Sequence, residues 1–386
     1  MLTKYDFVSS EEKLRLAKTY KEGLWGLWNI DSKTEVVAPT WQKEPQFTRD
    51  HIIIRTPGGV GVIGNDGKFI LESRFHSIHP QNKDRIIAKT IACFYGLFDG
   101  SGNELLPYIY QELIYETDEC VIARQADLCG ILDIKGNVRL PFEYEMISCS
   151  WPEKFIFAKK DDKWGAFTYE LKQLIPFEFD EITSYNHFFI VSKGKYKGLY
   201  DYNGKELIAP NKYYYINPVT ENLCIVAKDN KEGIIAIDGT VIVDCLYNDI
   251  DYNGEGCFSA CNELEKSRGK LEWRWSLLGC DGTILAEFKY NAIYDFVNGI
   301  AVVRQGSKYG CINKQGIEIV KPEWDNIIYE ERDKYIKVGL RERTTKKWGL
   351  YDTKGNPVIP AIYDSIYVGE YSIDVEFNGK EGVVML

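Results

Sequence analysis

Much that would announce a particular chemistry is missing from this 386-residue chain. Only four histidines occur, His51, His76, His79 and His187, and the ten cysteines never form a CxxC pair; Cys257 and Cys261 in "CFSAC" come nearest. Zinc needs four convergent ligands at characteristic spacings. No metal is therefore expected, and His76 with His79 would supply two ligands at most. No cofactor is expected either. "GGVGVIGNDG" is rich in glycine but contains no GxxxxGK[ST] and leads into no helix, so it is not a phosphate cradle. The nucleophile signature GxSxG is absent as well, and the chain is expected not to be an enzyme.

Long hydrophobic runs are also lacking. None reaches the roughly 18 apolar residues that a membrane-spanning helix requires. "MLTKYDFVSSEEKL" shows no basic stretch followed by an apolar one, so no signal peptide is read there. Thiols without an export signal lead to the expectation of a reducing cytoplasm. Positive charge is in deficit: 47 Lys and Arg stand against 57 Asp and Glu, a net −10. Nucleic-acid binding rests on a basic stripe that releases counterions from phosphates, and there is none. The acidic excess suits a basic protein partner instead, or serves solubility alone.

What is abundant is aromatic: 26 Tyr, 18 Phe and 9 Trp. Such rings favour strands, where they cover a pleated, half-buried surface. They also keep time. A glycine, preceded by a ring in half of its occurrences, falls at Gly26, Gly61, Gly96, Gly130, Gly165, Gly198, Gly233, Gly310, Gly349 and Gly382, with Ser276 in its place once. The spacing is 33–35 residues, except for 43 between Gly233 and Ser276 and 39 between Gly310 and Gly349. Six residues on comes a second glycine, as in Gly102, Gly136, Gly316 and Gly355, where a hairpin needs positive φ. A proline often follows, as in Pro107, Pro141, Pro176 and Pro360, and then an aromatic–polar–x–aliphatic group such as "YDSI" or "WDNI".

The pattern predicts a meander of three or four short strands per repeat, each repeat too small to bury a core alone and so stacked on its neighbours. "WGLYD" reads as one strand, "PVIP" as a second ended by its proline, and "IYDSIYV" as a third. "LRLAKTY" near the start reads as a strand despite the helix-like capping box "SSEE" just before it. A glycine inside a strand marks a bulge or a close approach; here a ring from a neighbouring repeat is expected over the bare Cα. That makes Trp25–Gly26, Tyr95–Gly96, Trp164–Gly165, Tyr309–Gly310 and Trp348–Gly349 structural pairs.

"LWGLW", "KWGAF" and "KWGLYDTKGNPVIPAIYD" resemble the WG-repeat family of β repeats. The resemblance runs through about ten full repeats and a truncated eleventh, a single array over 1–386. Some repeats are degenerate: "VGVIGNDGKF" and "KEGIIAIDGT" have lost the aromatic. The family is mostly bacterial and is regarded as supplying interaction or scaffold modules with no shared catalytic residue. The fold expected is all-β, tandem antiparallel meanders in an open twisted array, with one large or two small β-propellers as the alternative.

Departures from a repeat are where function is grafted. The long intervals place insertions at about 252–275 and 329–347. The first gathers Tyr252, Phe258, Arg268, Trp273 and Trp275, the composition of an interface hot spot. Three functions are carried forward: a protein–protein interaction scaffold, of the kind an immunity or regulatory partner in a bacterial conflict system would be; a glycan- or cell-surface-binding repeat protein; and a hydrolase on a propeller-like scaffold.

Overall fold

Every ladder joins strands that are consecutive in the chain, without exception among the described residues. In the computed structural model these are residues 7–11, 15–48, 51–81, 84–150, 154–266, 270–329, 334–342, 345–370 and 372–385. They form ten four-stranded antiparallel sheets and an eleventh of three strands. No α-helix forms among them, and none of the sheets closes into a barrel. The fifth sheet is representative, with strands Met146–Ser150, Phe155–Lys160, Lys163–Thr168 and Gln173–Phe179. The tandem all-β meander inferred from the period is the architecture found. Two compact units contain it, residues 1–182 and 183–386, and in each the sheets follow one another in chain order.

The central strands of a sheet are apolar on both faces because both faces are covered. In the fourth sheet Val121, Ala123 and Leu132 pack with Leu97 and Leu106 of the third, while Ile122, Cys129 and Ile131 pack with Ile156 and Ala158 of the fifth. The same alternation builds the second half, where Ile225 and Ile234 meet Phe258 and Leu278. Side chains of this kind each contribute about 1.5–3 kcal/mol on burial. A lone four-stranded sheet would forfeit half of that, which is why the repeats stack.

The "YD" group is not mid-strand. Its aromatic ends one sheet, the next residue is the entire connection, and a new sheet begins: Tyr363 closes one strand, Asp364 links, and Ser365 opens the next. The link residue is held from both sides. Its N–H donates to the second strand of the following sheet, as Asp325 N does to Gly339 O (2.9 Å) and Asp364 N to Glu376 O (2.8 Å). Its carboxylate accepts from the lysine two residues before the preceding anchor glycine: Lys308 Nζ to Asp325 at 2.7 Å, Lys347 Nζ to Asp364 at 2.5 Å, Lys163 Nζ to Asp180 at 2.5 Å. The second carboxylate oxygen takes a main-chain N–H at the next hairpin tip, Arg341 N for Asp325 (2.8 Å) and Asn378 N for Asp364 (2.7 Å). The Lys308 ammonium, followed by the Arg341 N–H, holds the Asp325 carboxyl below its ordinary range.

The prolines do not end strands. Pro360 lies inside Pro357–Tyr363, Pro107 inside Glu104–Tyr110 and Pro141 inside Val138–Tyr144. Each of these is the fourth strand, an edge with one side free of any ladder, so a missing N–H costs no hydrogen bond there. Proline and anchor glycine are two halves of one bulge. Between Tyr309↔Trp324 and Cys311↔Val320 the third strand advances two residues and the fourth advances four. The extra backbone presses on the glycine: a Cβ on Gly310 would lie 2.6 Å from Val320 O and 2.7 Å from Pro322 N. The expected ring from a neighbouring repeat is not what covers it. Where a ring does approach, at Gly96, Gly130 and Gly165, it is Tyr108, Phe142 or Phe177 of the same sheet. Ser276 fits the same bulge fully buried, its Oγ donating to Ala260 O (3.2 Å). The rings before the glycines, Trp25, Tyr95, Trp164, Tyr309 and Trp348, are half-buried and stand opposite Trp41, Tyr110, Phe179, Trp324 and Tyr363.

The second glycine has two reasons to be glycine. Gly355 adopts φ +86° in a turn whose Asp352 Oδ1 accepts from Lys354 N (2.9 Å) and Asn356 N (2.8 Å). A Cβ there would also lie 2.1 Å from Ile319 O of the preceding sheet, whereas one on Gly239, with φ +87°, would meet nothing. Gly239→Ala should cost about 1–2 kcal/mol from left-handed backbone strain alone, and Gly355→Ala a further ~1–3 kcal/mol of overpacking, read as urea midpoints of the two variants. Equal midpoints would contradict the stacking contact. Asp325→Ala should cost about 0.5–2 kcal/mol at neutral pH, like the loss of a side-chain cap. Because the folded carboxyl titrates below the ordinary aspartate value of about 3.9, this contribution is complete above that value and disappears as pH falls through the folded one. The gap between wild type and variant should therefore close on acidification.

Candidate interaction surface

One hairpin accounts for the 43-residue interval. In the eighth sheet the second and third strands run ten residues each, Cys257–Lys266 and Lys270–Gly279, against six in the fifth sheet. They pair continuously from Cys257↔Gly279 to Lys266↔Lys270. The 39-residue interval is likewise a lengthened hairpin, Tyr335–Glu342 with Thr345–Asp352.

Alternation along a strand sends side chains to two faces. Trp275, Trp273 and Leu271 share one of them. Trp273 is 49% exposed, with Glu263 directly across the ladder, and Leu271 is 61% exposed. On the other face Arg274 donates to Lys289 O (3.0 Å), Asn291 Oδ1 (3.2 Å) and Glu272 Oε2 (2.8 Å), while Asn291 Nδ2 donates to Glu272 Oε1 (2.9 Å). Asn291 is the link to the ninth sheet, so this network fixes the hairpin's base to a seam.

The five residues expected at a partner site therefore separate. Phe258 is fully buried among Ile225, Ile234 and Leu278 and cannot touch a partner. Trp275 is half-buried against the core around Tyr290. Tyr252 is half-buried with its ring 5.0 Å from that of Phe258. Trp273 is the exposed member, and Arg268 lies outside the described residues. Aromatic composition marked the hairpin but could not separate core rings from surface ones.

Five carboxylates that composition did not single out form a second feature. Glu232 occupies the position before Gly233 where other repeats carry Trp or Tyr, and its Oε2 accepts from Ile250 N at 2.8 Å. It lines a recess of about 420 Å³ with Tyr185, Tyr215, Asn217, Asp249 and Asp251. Across Tyr252 a second recess of about 510 Å³ adds Asn253, Glu255 and Asp295. Partial burial and then Asp249 and Asp295 lift the Asp251 carboxyl above its ordinary range; burial is also the larger cause for Glu232, followed by Asp249 and Asp251 once its bond to Ile250 is set against them. The field reaches Cys261, whose thiol is pushed up to about 11 by burial and then by Asp249 and Asp251. Two signals could have pointed here: a Glu in an aromatic slot, and "DID" in a first strand, where the period of two puts both Asp on one face.

Elsewhere the degenerate second repeat, with Val60 in the aromatic slot, opens a groove of about 1070 Å³ of mixed lining, Trp41, Phe69 and Ile91 together with Lys43, Arg55 and His76. His76 is a link residue whose N–H donates to Lys89 O at 2.8 Å, and His79 Nε2 lies 3.1 Å from Ser77 Oγ. Among the described residues no three His, Cys, Asp or Glu side chains group as metal ligands, and no helix is long and apolar enough to cross a membrane.

Serial four-stranded meanders joined by single-residue seams define a tandem β-repeat protein. The model of the WG containing repeat matches residues 130–164, 198–231, 281–309, 309–338 and 348–370, and the chain is a WG-repeat protein across that span. No curated protein sequence matches it. Among solved structures, it is similar to a eukaryotic initiation factor (11% identity, 80% of this chain and 95% of that one, TM-score 0.32). It is also similar to BamB from Moraxella catarrhalis (9%, 60% and 82%, TM-score 0.24) and to PorZ of Porphyromonas gingivalis (11%, 99% and 66%, TM-score 0.23). At such scores these likenesses carry no functional weight.

Removing a buried ring and removing an exposed one should differ sharply. Phe258→Ala should cost about 3–5 kcal/mol, whereas Trp273→Ala should stay within about 0.5 kcal/mol of wild type, both measured by urea denaturation. A large loss from Trp273→Ala would return that ring to the core.

Proposed function

We propose that the chain is a non-catalytic scaffold for protein–protein interaction whose partner is a basic protein. The observation that carries this reading is the exposed Trp273–Leu271 face of the long hairpin, braced from behind by the Arg274–Glu272–Asn291 network. A large ring on a pre-ordered strand buries much area at little entropic cost, which is how interface anchors work. Net charge of −10 speeds encounter with a cationic partner and weakens with salt. An immunity or regulatory partner in a bacterial conflict system would use a surface of this kind. Ten free thiols accord with a cytoplasmic location.

Affinity capture with the tagged chain from its native cell tests this, followed by titration of the captured protein. A basic protein should be recovered in stoichiometric amount, and Trp273→Ala/Leu271→Ala should weaken its binding by about tenfold or more without unfolding the scaffold. Unchanged affinity would remove the hairpin from the interface. A Trp ring beside Glu263 also has the form of a carbohydrate platform; retention on a polysaccharide resin with no protein recovered would replace the scaffold reading with that one.

A further inference from the structure

Carboxylates at the seams of this protein are systematically neutralised: Asp180, Asp325 and Asp364 each meet a lysine within 2.7 Å. The first strands of the eighth and ninth sheets break that habit. Among the described residues, no Lys or Arg pairs with Asp249, Asp251 or Asp295, and Glu232 receives only a main-chain N–H; Glu255, which lines the second recess, is the one with a counterion, Lys314 Nζ at 3.6 Å. Like charges gathered without a counterion repel one another and destabilise the fold that holds them. Asn253 adds an independent sign. It is 3% exposed and lines the second recess; its Nδ2 donates to Ile293 O at 3.1 Å, yet its Oδ1 has no partner. A buried acceptor left open costs about 1–3 kcal/mol until a donor arrives.

The missing component is thus a cation that also donates hydrogen bonds. It is an organic one, because the carboxylates are spread along two recesses and do not converge as metal ligands do. Tyr185, Tyr215 and Tyr252 line the first recess, and aromatic rings attract guanidinium and ammonium groups. We propose that this pair of recesses receives arginine or lysine side chains of the protein partner, with Glu232, Asp249, Asp251 and Asp295 as counter-charges, Asn253 Oδ1 as acceptor and the tyrosines as walls. The identity of the ligand as a protein side chain rests on the scaffold reading; the cation chemistry does not.

A fluorescein-labelled tetra-arginine peptide, titrated against the full chain at roughly physiological salt where distant charges are screened, provides the test. Asp249→Asn/Asp251→Asn should weaken its binding by about tenfold or more. Glu221→Gln/Glu287→Gln, which removes equal charge from exposed positions outside the recesses, should leave it within about twofold. The Asn pair should unfold at the same or a higher urea concentration than wild type, since it relieves repulsion; a lower midpoint would make the aspartates structural and overturn the site. Equal losses in both double variants would reduce the effect to general charge, and no binding by wild type would refute it outright. Spermidine run in parallel separates the sources: tighter binding than the peptide would reject a protein side chain. Trp273→Ala/Leu271→Ala should leave peptide binding intact, so a failure of the hairpin reading and a failure of the recess reading give different patterns.

Discussion

The molecule depends on a seam one residue wide. From the second sheet to the tenth, each ends on a buried or half-buried aromatic, turns through a single residue and gives way to the next. That residue makes three kinds of bond: its N–H to the next sheet, one side-chain oxygen to a lysine of the previous sheet, and the other to the next hairpin tip. Asp325 and Asp364 show the full set. Glu145 does part of the same work, its Oε1 accepting from Asp162 N at 2.9 Å, and Asn291 another part, its Oδ1 accepting from Gly306 N at 2.6 Å. The sheets need this fastening because no ladder runs between them. Apolar contact alone would let neighbours slide, and the seam fixes the register at which Ile131 meets Ile156 or Ile234 meets Phe258.

The period was legible because most repeats meet the same three demands: a glycine under a bulge, a glycine at the hairpin turn, and a polar link. The phase within the period was harder to read. Proline stops a strand by local rule, but at Pro107 and Pro360 the strand is an edge and the rule has nothing to act on. "IYDSIYV" alternates smoothly through its aspartate, so sequence reads one strand where the chain changes sheets. The glycine beside the tryptophan suggested a ring from a neighbouring repeat overhead, and what lies there is backbone of the same sheet, joined at Gly165 by that sheet's own Phe177, since a bulge leaves no mark on composition. The surface was legible only as a location. Phe258 and Trp273 are both rings of one hairpin, and burial distinguishes them through pairing with a sheet that sequence does not display. The carboxylates from Glu232 to Asp295 are scattered over three repeats, and stacking brings them to a common pair of recesses.

Variation is partitioned accordingly. From the third sheet onward the links hold at one residue, while hairpin tips stretch from five-residue to ten-residue strands without disturbing the stack. A side chain in the aromatic slot can also be traded, as at Val60 and Glu232, because that ring is half-buried and faces the edge strand rather than the central core. Tips and slots are thus the places where a repeat of this kind can acquire individuality while its neighbours still recognise it.

The prolines carry a meaning beyond permission. An unpaired strand edge is a template on which another chain can add, and a residue without an N–H spoils it. Most fourth strands here hold one, including Pro141 and Pro176. The fourth strands Phe69–Phe75, Val241–Tyr247 and Ile284–Tyr290 do not, and each presents a large apolar side chain to solvent, Phe69, Leu246 and Ile284 among them. Under crowding or partial unfolding these three margins are where copies of the protein would begin to knit into fibrils, and a proline or lysine placed there would act as a gatekeeper.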